Sequence, residues 1–174
     1  MTIEPGKQIK IIIADKYSLF RKGLTMTLAA KEDTQIIGEA ENALQLIEML
    51  KHFSPDMIIA DFTQKEINGF EILPYIKLNY PHIKLVALAL YEAPDIIIRI
   101  LESGADCYIL KNSSSTTLYE TIKQCYANGF YLNNDTRDAI ERKDQKKSTK
   151  EKVGIGGKII LFLKSITIAQ KLIL

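Results

Sequence analysis

Short apolar runs alternate with helical patterns five times along this chain, and this alternation constrains the fold more than any other feature. The runs lie at 9–15, 35–40, 57–61, 84–90 and 107–110. Strands that alternate with helices of about ten to fifteen residues are typical of βαβ units with parallel strands and right-handed crossovers. The pattern therefore predicts an α/β fold, a doubly wound (βα)5 sandwich ending near Leu132.

Capping and turn residues predict where the helices begin and end. Ser18 is expected to cap the first helix, Asn42 with Gln45 has the spacing of a capping box, and the serines and threonines at 113–117 precede the fifth helix. Pro94 suits a first helical turn and Gly104 a left-handed helix end. Apolar residues at helical spacing define the predicted buried faces: Leu19, Phe20, Leu24, Leu28; Leu44, Ile47, Leu50; Phe70, Leu73, Ile76, Tyr80; Leu118, Ile122, Cys125.

Charged residues follow three of the predicted strands. Asp15 and Lys16 follow the first strand, Asp61 ends the buried run MIIAD, and Lys111 follows the fifth strand. Open α/β sheets bind ligands outside these carboxyl ends, and the strand order 2-1-3-4-5, which periodicity alone does not give, would bring Asp15 and Asp61 together. Such a cluster suits a hard divalent cation and phosphoryl transfer onto a carboxylate. The alternative is a solvated ion-pair network at a loop edge.

Four stretches in their order and spacing give a resemblance to a known family: IADKYSLFRKGL, GEAENALQLIEML, PDMIIADFTQKEINGFE and GADCYILK. Together they resemble the CheY-like receiver domain of bacterial response regulators. More narrowly, they are similar to the NarL/FixJ type, which usually precedes a LuxR-like helix-turn-helix. The resemblance covers about residues 9–133 and implies a flavodoxin-like sheet of order 2-1-3-4-5.

The resemblance also implies roles for individual residues. It makes Asp61 the phosphoacceptor and Lys111 the lysine that contacts the phosphoryl group. Asp15 becomes the first of an acid pair that binds Mg²⁺, and Thr63 the residue whose backbone carbonyl completes the metal shell. Tyr108 matches an aromatic residue whose rotamer reports phosphorylation in relatives, although we favour a half-buried interface aromatic here.

One departure from the family concerns the metal. Lys16 stands where the family has its second acid, which ligates Mg²⁺ directly. Lys16 is expected to weaken metal binding, and by pairing with Asp15 or Asp61 it could occupy the place of the cation. The alternative is drift in a relative that is no longer selected for phosphorylation. Mg²⁺ is thus expected from the family but doubtful in this chain.

A second departure concerns the switch. Ala89 stands where the family has a hydroxyl residue that bonds the phosphoryl group. Without that hydroxyl, Tyr108 has no obvious partner in a switch. A smaller departure is Gln64-Lys65, where the family commonly has Met-Pro. These replacements predict a degenerate receiver, or pseudo-receiver.

The remainder of the chain divides into two segments. Residues 1–133 are the predicted receiver, 134–158 a densely charged linker, and 159–174 a mostly apolar segment expected to form a helix. Sixteen residues are short for a membrane span, so docking on the receiver or on a second copy is preferred, and association with a membrane surface is the minor alternative. We find no match to the recognition helix of the family's output domain.

Composition excludes few classes of protein. The formal net charge is +2, with 47% hydrophobic and 25% charged residues, which is ordinary for a globular protein. Cys107 and Cys125 lack metal-ligand spacing and are interpreted as buried thiols. The amino terminus has no apolar signal region, so a cytoplasmic protein is predicted.

The predicted function is a receiver module of a two-component phosphorelay, with impaired phosphorylation, that acts through protein contacts. Its expected partners are a histidine kinase or another signalling protein and a second copy in a homodimer, with no direct nucleic-acid binding by the receiver. It is not expected to be an enzyme, apart from weak autophosphorylation or autophosphatase chemistry at Asp61. The alternatives are a competent Asp61-phosphorylated receiver that controls a transcriptional output, and a truncated DNA-binding regulator.

Overall fold

The computed structural model describes residues 7–90, 93–134, 136–138 and 140–141. Its strands are β1 Ile9–Ala14, β2 Thr34–Ala40, β3 Met57–Ala60, β4 Lys84–Ala89, β5 Cys107–Leu110 and β6 Tyr131–Leu132. Its helices are α1 Ser18–Ala29, α2 Ala43–Leu50, α3 Gly69–Asn79, α4 Pro94–Glu102 and α5 Ser115–Asn128. Strands and helices alternate through α5, which confirms the predicted α/β fold.

The strands form one parallel sheet in the order β2-β1-β3-β4-β5-β6. The flavodoxin-like order 2-1-3-4-5 is therefore confirmed. The sixth strand was not predicted, because two residues are too few to show a periodicity. It pairs Tyr131 with Cys107 and Leu132 with Tyr108 beside β5.

Helices cover both faces of the sheet, and alternate strand residues face alternate layers. Ile12 and Ile58 belong to the core cluster that includes residues of α2, α3 and α4. Ile11, Ile13 and Ile59 belong to the second cluster, with residues of α1 and α5. Strands buried on both faces explain why their sequences are continuous apolar runs rather than alternating ones.

Two predicted helix starts are confirmed by side-chain caps. The amide N–H of Gln45 donates to Oδ1 of Asn42 over 3.0 Å at the start of α2. At α5, the N–H of Thr117 donates to Oγ of Ser114, also over 3.0 Å. Each bond satisfies a backbone donor that the first helical turn leaves without an intrahelical acceptor.

The ends of α4 also agree with prediction. Pro94 is the first residue of the helix, where a missing N–H costs nothing. Gly104 lies just beyond its end with φ +116°, a conformation that favours glycine. The helix therefore stops where the sequence predicted.

The predicted start of α1 is wrong. Tyr17, not Ser18, is the N-terminal capping residue, and it makes no side-chain cap. The backbone N–H of Tyr17 instead donates to Oδ1 of Asp15 over 2.8 Å. This bond fixes the backbone just before the helix, and it does not replace the predicted serine cap.

Three predicted core residues lie at the surface instead. Leu19 is 83% exposed, Leu44 81% and Phe70 41%, while Leu46 is the buried leucine near the start of α2. Apolar residues occur on both sides of these helices, so their spacing alone did not identify the inward face. The exposed leucines leave apolar surface that is available for contacts.

The chain beyond β6 packs on the domain as far as the structure describes it. Residues 134, 136–138 and 140–141 are helical, and Thr136 and Ile140 are buried. Oγ1 of Thr136 donates to the backbone carbonyl of Tyr108 over 2.8 Å. The rest of the predicted charged linker and the apolar segment 159–174 lie outside the described residues, so the domain boundaries stay predictions. No helix in the described part of the chain combines the length and apolarity needed to cross a membrane.

Candidate functional site

Three charged side chains meet at the carboxyl ends of strands β1, β3 and β5 of the sheet. Asp15 follows β1, Asp61 follows β3 and Lys111 follows β5. Asp15 and Asp61 are 1% and 4% exposed, and the side chain of Lys111 is 3% exposed. The strand order brings the two acids together as expected, but they are buried rather than part of a solvated network at a loop edge.

Lys111 is the cation of this cluster. Its Nζ lies 2.8 Å from Oδ2 of Asp61 and forms a second ion pair with Oδ2 of Asp15. The same ammonium lies 4.3 Å from the ring centroid of Phe20 in α1. The cluster has one ammonium and two carboxylates, so it keeps an excess negative charge. Additional hydrogen-bond donors must stabilise that charge.

The side-chain amide of Gln64 supplies those donors. Its Nε2 donates to Oδ1 of Asp15 over 2.9 Å and to Oδ2 of Asp61 over 3.1 Å. Its Oε1 accepts the backbone N–H of Lys16 over 2.8 Å. This pattern fixes the orientation of the amide, because the reverse orientation would aim Oε1 at two carboxylates.

The remaining carboxylate oxygens also have donors. Oδ1 of Asp15 accepts the N–H of Tyr17 over 2.8 Å. Oδ1 of Asp61 accepts the N–H of Thr63 over 3.1 Å and its hydroxyl over 2.5 Å. Each oxygen of both carboxylates therefore accepts at least one bond from the protein itself, as buried charges require.

Lys16 does not enter this cluster. Its Nζ lies 3.3 Å from Oε1 of Glu66, and both side chains are partly exposed. The hydrogen bond that its ammonium donates to the Glu66 carboxylate raises the pKa of Lys16. The expectation that Lys16 pairs with Asp15 or Asp61 is therefore wrong: Lys111 is the lysine that pairs with both acids, and Lys16 contributes only its backbone N–H, to Gln64.

The two positions that the resemblance assigns to a switch, Ala89 and Tyr108, lie in the core. Ala89 is fully buried at the end of β4, and its carbonyl accepts the N–H of Lys111 over 2.8 Å. Tyr108 is also fully buried, so the preferred interpretation as a half-buried interface aromatic is wrong. Burial, and then the charge of Asp61, raises the pKa of Tyr108. A small residue at position 89 offers a phosphoryl group no hydrogen-bond donor.

Gln64 was not predicted to belong to the site and was noted only as a departure from the family. A polar residue three positions after a buried acid is the signal that was present. Its side chain could be assigned to the acids only once the loop 61–68 was known to turn back over them. Glu66, the partner of Lys16, was missed for the same reason.

An apolar groove of about 590 Å³ lies next to Lys111. It is bounded by α1, by the ends of β4 and β5 and by the start of α5: Tyr17, Leu19, Phe20, Leu24, Leu88, Leu90, Leu110, Leu118. Tyr17, Leu19 and Leu90 are exposed at its rim. In the part of the chain that the structure describes, no group of three or more His, Cys, Asp or Glu side chains is arranged to hold a metal ion.

Comparison with known families gives one match over residues 11–123, to the response regulator receiver domain. Among curated proteins, the chain is similar to the response regulator protein VraR of Staphylococcus saprophyticus, 32% identical over 120 residues. This alignment covers 69% of the chain and 57% of VraR. The transcriptional regulatory protein DegU of Brevibacillus brevis is 27% identical over 125 residues, with coverage of 72% and 53%.

The chain thus spans little more than half the length of these two relatives. Among solved structures, it resembles the signal receiver domain of the putative response regulator NarL from Mycobacterium tuberculosis, with a TM-score of 0.65. The identity is 21%, and the match covers 70% of this chain and 98% of that one. At this identity the likeness concerns the fold.

Proposed function

Because this chain belongs to the response regulator receiver family, we propose that it is a two-component receiver with impaired phosphorylation that acts through protein contacts. The single observation that carries this proposal is the closed cluster of Asp15, Asp61, Lys111 and Gln64. Receiver domains of this family interact with histidine kinases and typically use Mg²⁺. In this receiver, we expect Mg²⁺-dependent phosphorylation to be weakened.

The residues present fit a magnesium ion poorly. Mg²⁺ demands near-octahedral oxygen coordination and is held through carboxylates and waters. Here Asp15 and Asp61 are the only family acids retained, Lys16 replaces the third, and the retained oxygens already accept protein donors. The crevice therefore offers a divalent cation few free oxygen ligands.

The position of the missing hydroxyl supports the same proposal. A phosphoryl group on Asp61 would meet the ammonium of Lys111 but only a methyl group at Ala89. The pull that draws the loop after β4 towards a phosphoryl group would be absent. Tyr108 is fully buried beneath this site, and the charge of Asp61 contributes, after burial, to raising the pKa of its hydroxyl.

Exposed apolar side chains support an action through protein contacts. The groove beside α1 is lined mainly by apolar residues, with Leu19 83% and Leu90 59% exposed at its rim. Contiguous apolar surface of this kind marks interaction sites on soluble proteins. We propose a homodimer or a complex with a signalling protein through this face. The cytoplasmic location and the lack of enzymatic activity towards other substrates are parts of the same proposal.

A second candidate is a competent receiver that controls a transcriptional output. It is favoured by the 2.8 Å contact between Lys111 and Asp61, which retains the lysine next to the phosphoacceptor. The relative DegU is by name a transcriptional regulatory protein. In this version Asp61 accepts phosphate at a normal rate despite Lys16.

One experiment separates the two candidates. The full chain is incubated with Mg²⁺ and a small acyl phosphate, and its intact mass is followed over time. We expect little adduct in the wild-type protein and faster labelling in Lys16→Asp, which restores the missing acid. A prompt single phosphoryl adduct in wild type that disappears in Asp61→Asn would favour the competent receiver.

A further inference from the structure

Gln64 stands between the two acids that a divalent cation would need. Gln64 is 8% exposed, and its side-chain amide donates to both Asp15 and Asp61. Among the described residues, Lys111 is the second group that bonds both carboxylates. The ammonium of Lys111 and the neutral amide of Gln64 thus both stabilise the two buried carboxylates.

The amide is itself held in place from the opposite side. The N–H of Lys16 donates to Oε1 of Gln64, so the carbonyl is satisfied while the NH₂ group faces the acids. The side chain of Lys16 points away to Glu66. The backbone of residue 16 therefore positions the amide, whatever side chain that residue carries.

We propose that Gln64 is an internal substitute for the cation, which closes the crevice and sets how readily a divalent ion can enter it. This inference rests on the proposed function and names the residue that controls the impaired site. A cation that binds both acids must displace two hydrogen bonds to ionised oxygens, the stronger class of hydrogen bond. The net free energy of cation binding is therefore less favourable here than at carboxylates that face water.

The inference separates two causes of weak metal binding. If Lys16 alone were responsible, removing the Gln64 amide would change nothing. If the amide is the barrier, Gln64→Met should admit a cation even while Lys16 remains. Methionine has nearly the length of glutamine and no hydrogen-bond donor, and it is the residue that relatives commonly carry at this position.

The test measures Mn²⁺ affinity of the full chain, with Mn²⁺ as a probe for a hard divalent ion, from the electron paramagnetic resonance signal of the free metal. The chain contains no tryptophan, so quenching of tryptophan fluorescence is unsuitable. We expect Gln64→Met to bind Mn²⁺ about tenfold more tightly than wild type, as the loss of charge-assisted bonds implies. Gln35→Met is the matched control, because Gln35 is exposed on the edge strand β2, and it should leave affinity unchanged.

Equal Mn²⁺ affinity of wild type and a folded Gln64→Met variant would overturn the inference. Circular dichroism checks folding, and Gln64→Ala replaces the variant if the methionine protein does not fold. Failure of this inference and failure of the proposed function are distinguishable: prompt phosphorylation of wild type would refute impaired phosphorylation, whereas equal Mn²⁺ affinities would refute only the effect of the Gln64 amide on metal entry. A gain seen equally in Gln35→Met would also count against the inference.

Discussion

Asp61 and Lys111 form a buried ion pair, with Oδ2 and Nζ separated by 2.8 Å. Both side chains are at most 5% exposed, and Lys111 also neutralises Asp15. Breaking a buried pair leaves an uncompensated charge, which costs far more than the pair contributes over an apolar replacement. The lysine that the family uses to contact phosphate is therefore also a structural residue here.

We predict that Lys111→Met lowers the free energy of unfolding by about 3 kcal/mol, because two buried carboxylates lose their cation. Urea unfolding followed by far-ultraviolet circular dichroism measures the change. Lys16→Met is the matched control, since the ion pair of Lys16 with Glu66 is exposed to solvent. Equal decreases in the free energy of unfolding of the two variants would show that Lys111 does not stabilise a buried network with Asp15 and Asp61.

Replacing Leu19 by glutamate should weaken self-association. Leu19 is 83% exposed at the rim of the apolar groove, and a carboxylate there would have to be desolvated in an interface. Light scattering during size exclusion over a range of concentrations measures the mass. Leu44→Glu is the control, because Leu44 is 81% exposed on α2, away from the groove, and the same shift in both variants would contradict the assignment.

Two glycines should respond oppositely to alanine. A Cβ at Gly69 would lie 2.4 Å from Cβ and from the carbonyl oxygen of Phe62, so Gly69→Ala should destabilise by about 1–3 kcal/mol. Gly23 lies within α1 with open space around it, and Gly23→Ala should stabilise by up to about 1 kcal/mol. Thermal unfolding of the two variants beside wild type measures both signs. A neutral Gly69→Ala would show that the loop after Asp61 is loosely packed.

Asp33 gives a pH-dependent contribution to stability. Burial opposes its ionisation, but bonds from Tyr119, over 2.5 Å, and Lys123, over 3.2 Å, outweigh burial and lower the pKa of Asp33. Because the pKa of Asp33 is lower in the folded protein, its ionisation stabilises the fold at pH values above the unfolded-state pKa, which is near 3.8. This stabilisation is lost as the pH falls through the folded-state pKa.

We therefore predict that Asp33→Asn costs less than about 1 kcal/mol at neutral pH, after allowance for solvent screening. The difference from wild type should shrink as the pH falls below about 4. Urea midpoints at several pH values measure it. A stability difference between wild type and Asp33→Asn that grows at acid pH would contradict the lowered pKa of Asp33.

The strand pattern was readable from the sequence because both faces of the sheet are covered. Runs such as 57–60 are apolar throughout, as expected of a parallel strand covered on both faces, and their alternation with helical patterns identified them as strands. The helix faces were less readable. Leu19 and Leu44 are apolar but exposed, so hydrophobicity alone placed them in the core incorrectly. The two-residue strand β6 carries no pattern at all.

The sequence predicted the charged residues of the candidate site but not its neutral residue, Gln64. Strand order brought Asp15, Asp61 and Lys111 to one place, since each follows a strand of the same sheet. The direction of a loop side chain does not follow from the strand pattern. Gln64 and Lys16 were therefore assigned the wrong relative importance: the amide turned in and the ammonium turned out.

The most direct test of the account is a crystal structure of the full chain grown with Mg²⁺ in large excess. We expect the amide of Gln64 within hydrogen-bond distance of both Asp15 and Asp61, with Lys111 between the acids and Lys16 turned towards Glu66. An octahedral cation held by Asp15, Asp61 and the carbonyl of Thr63, with Gln64 displaced, would contradict the account.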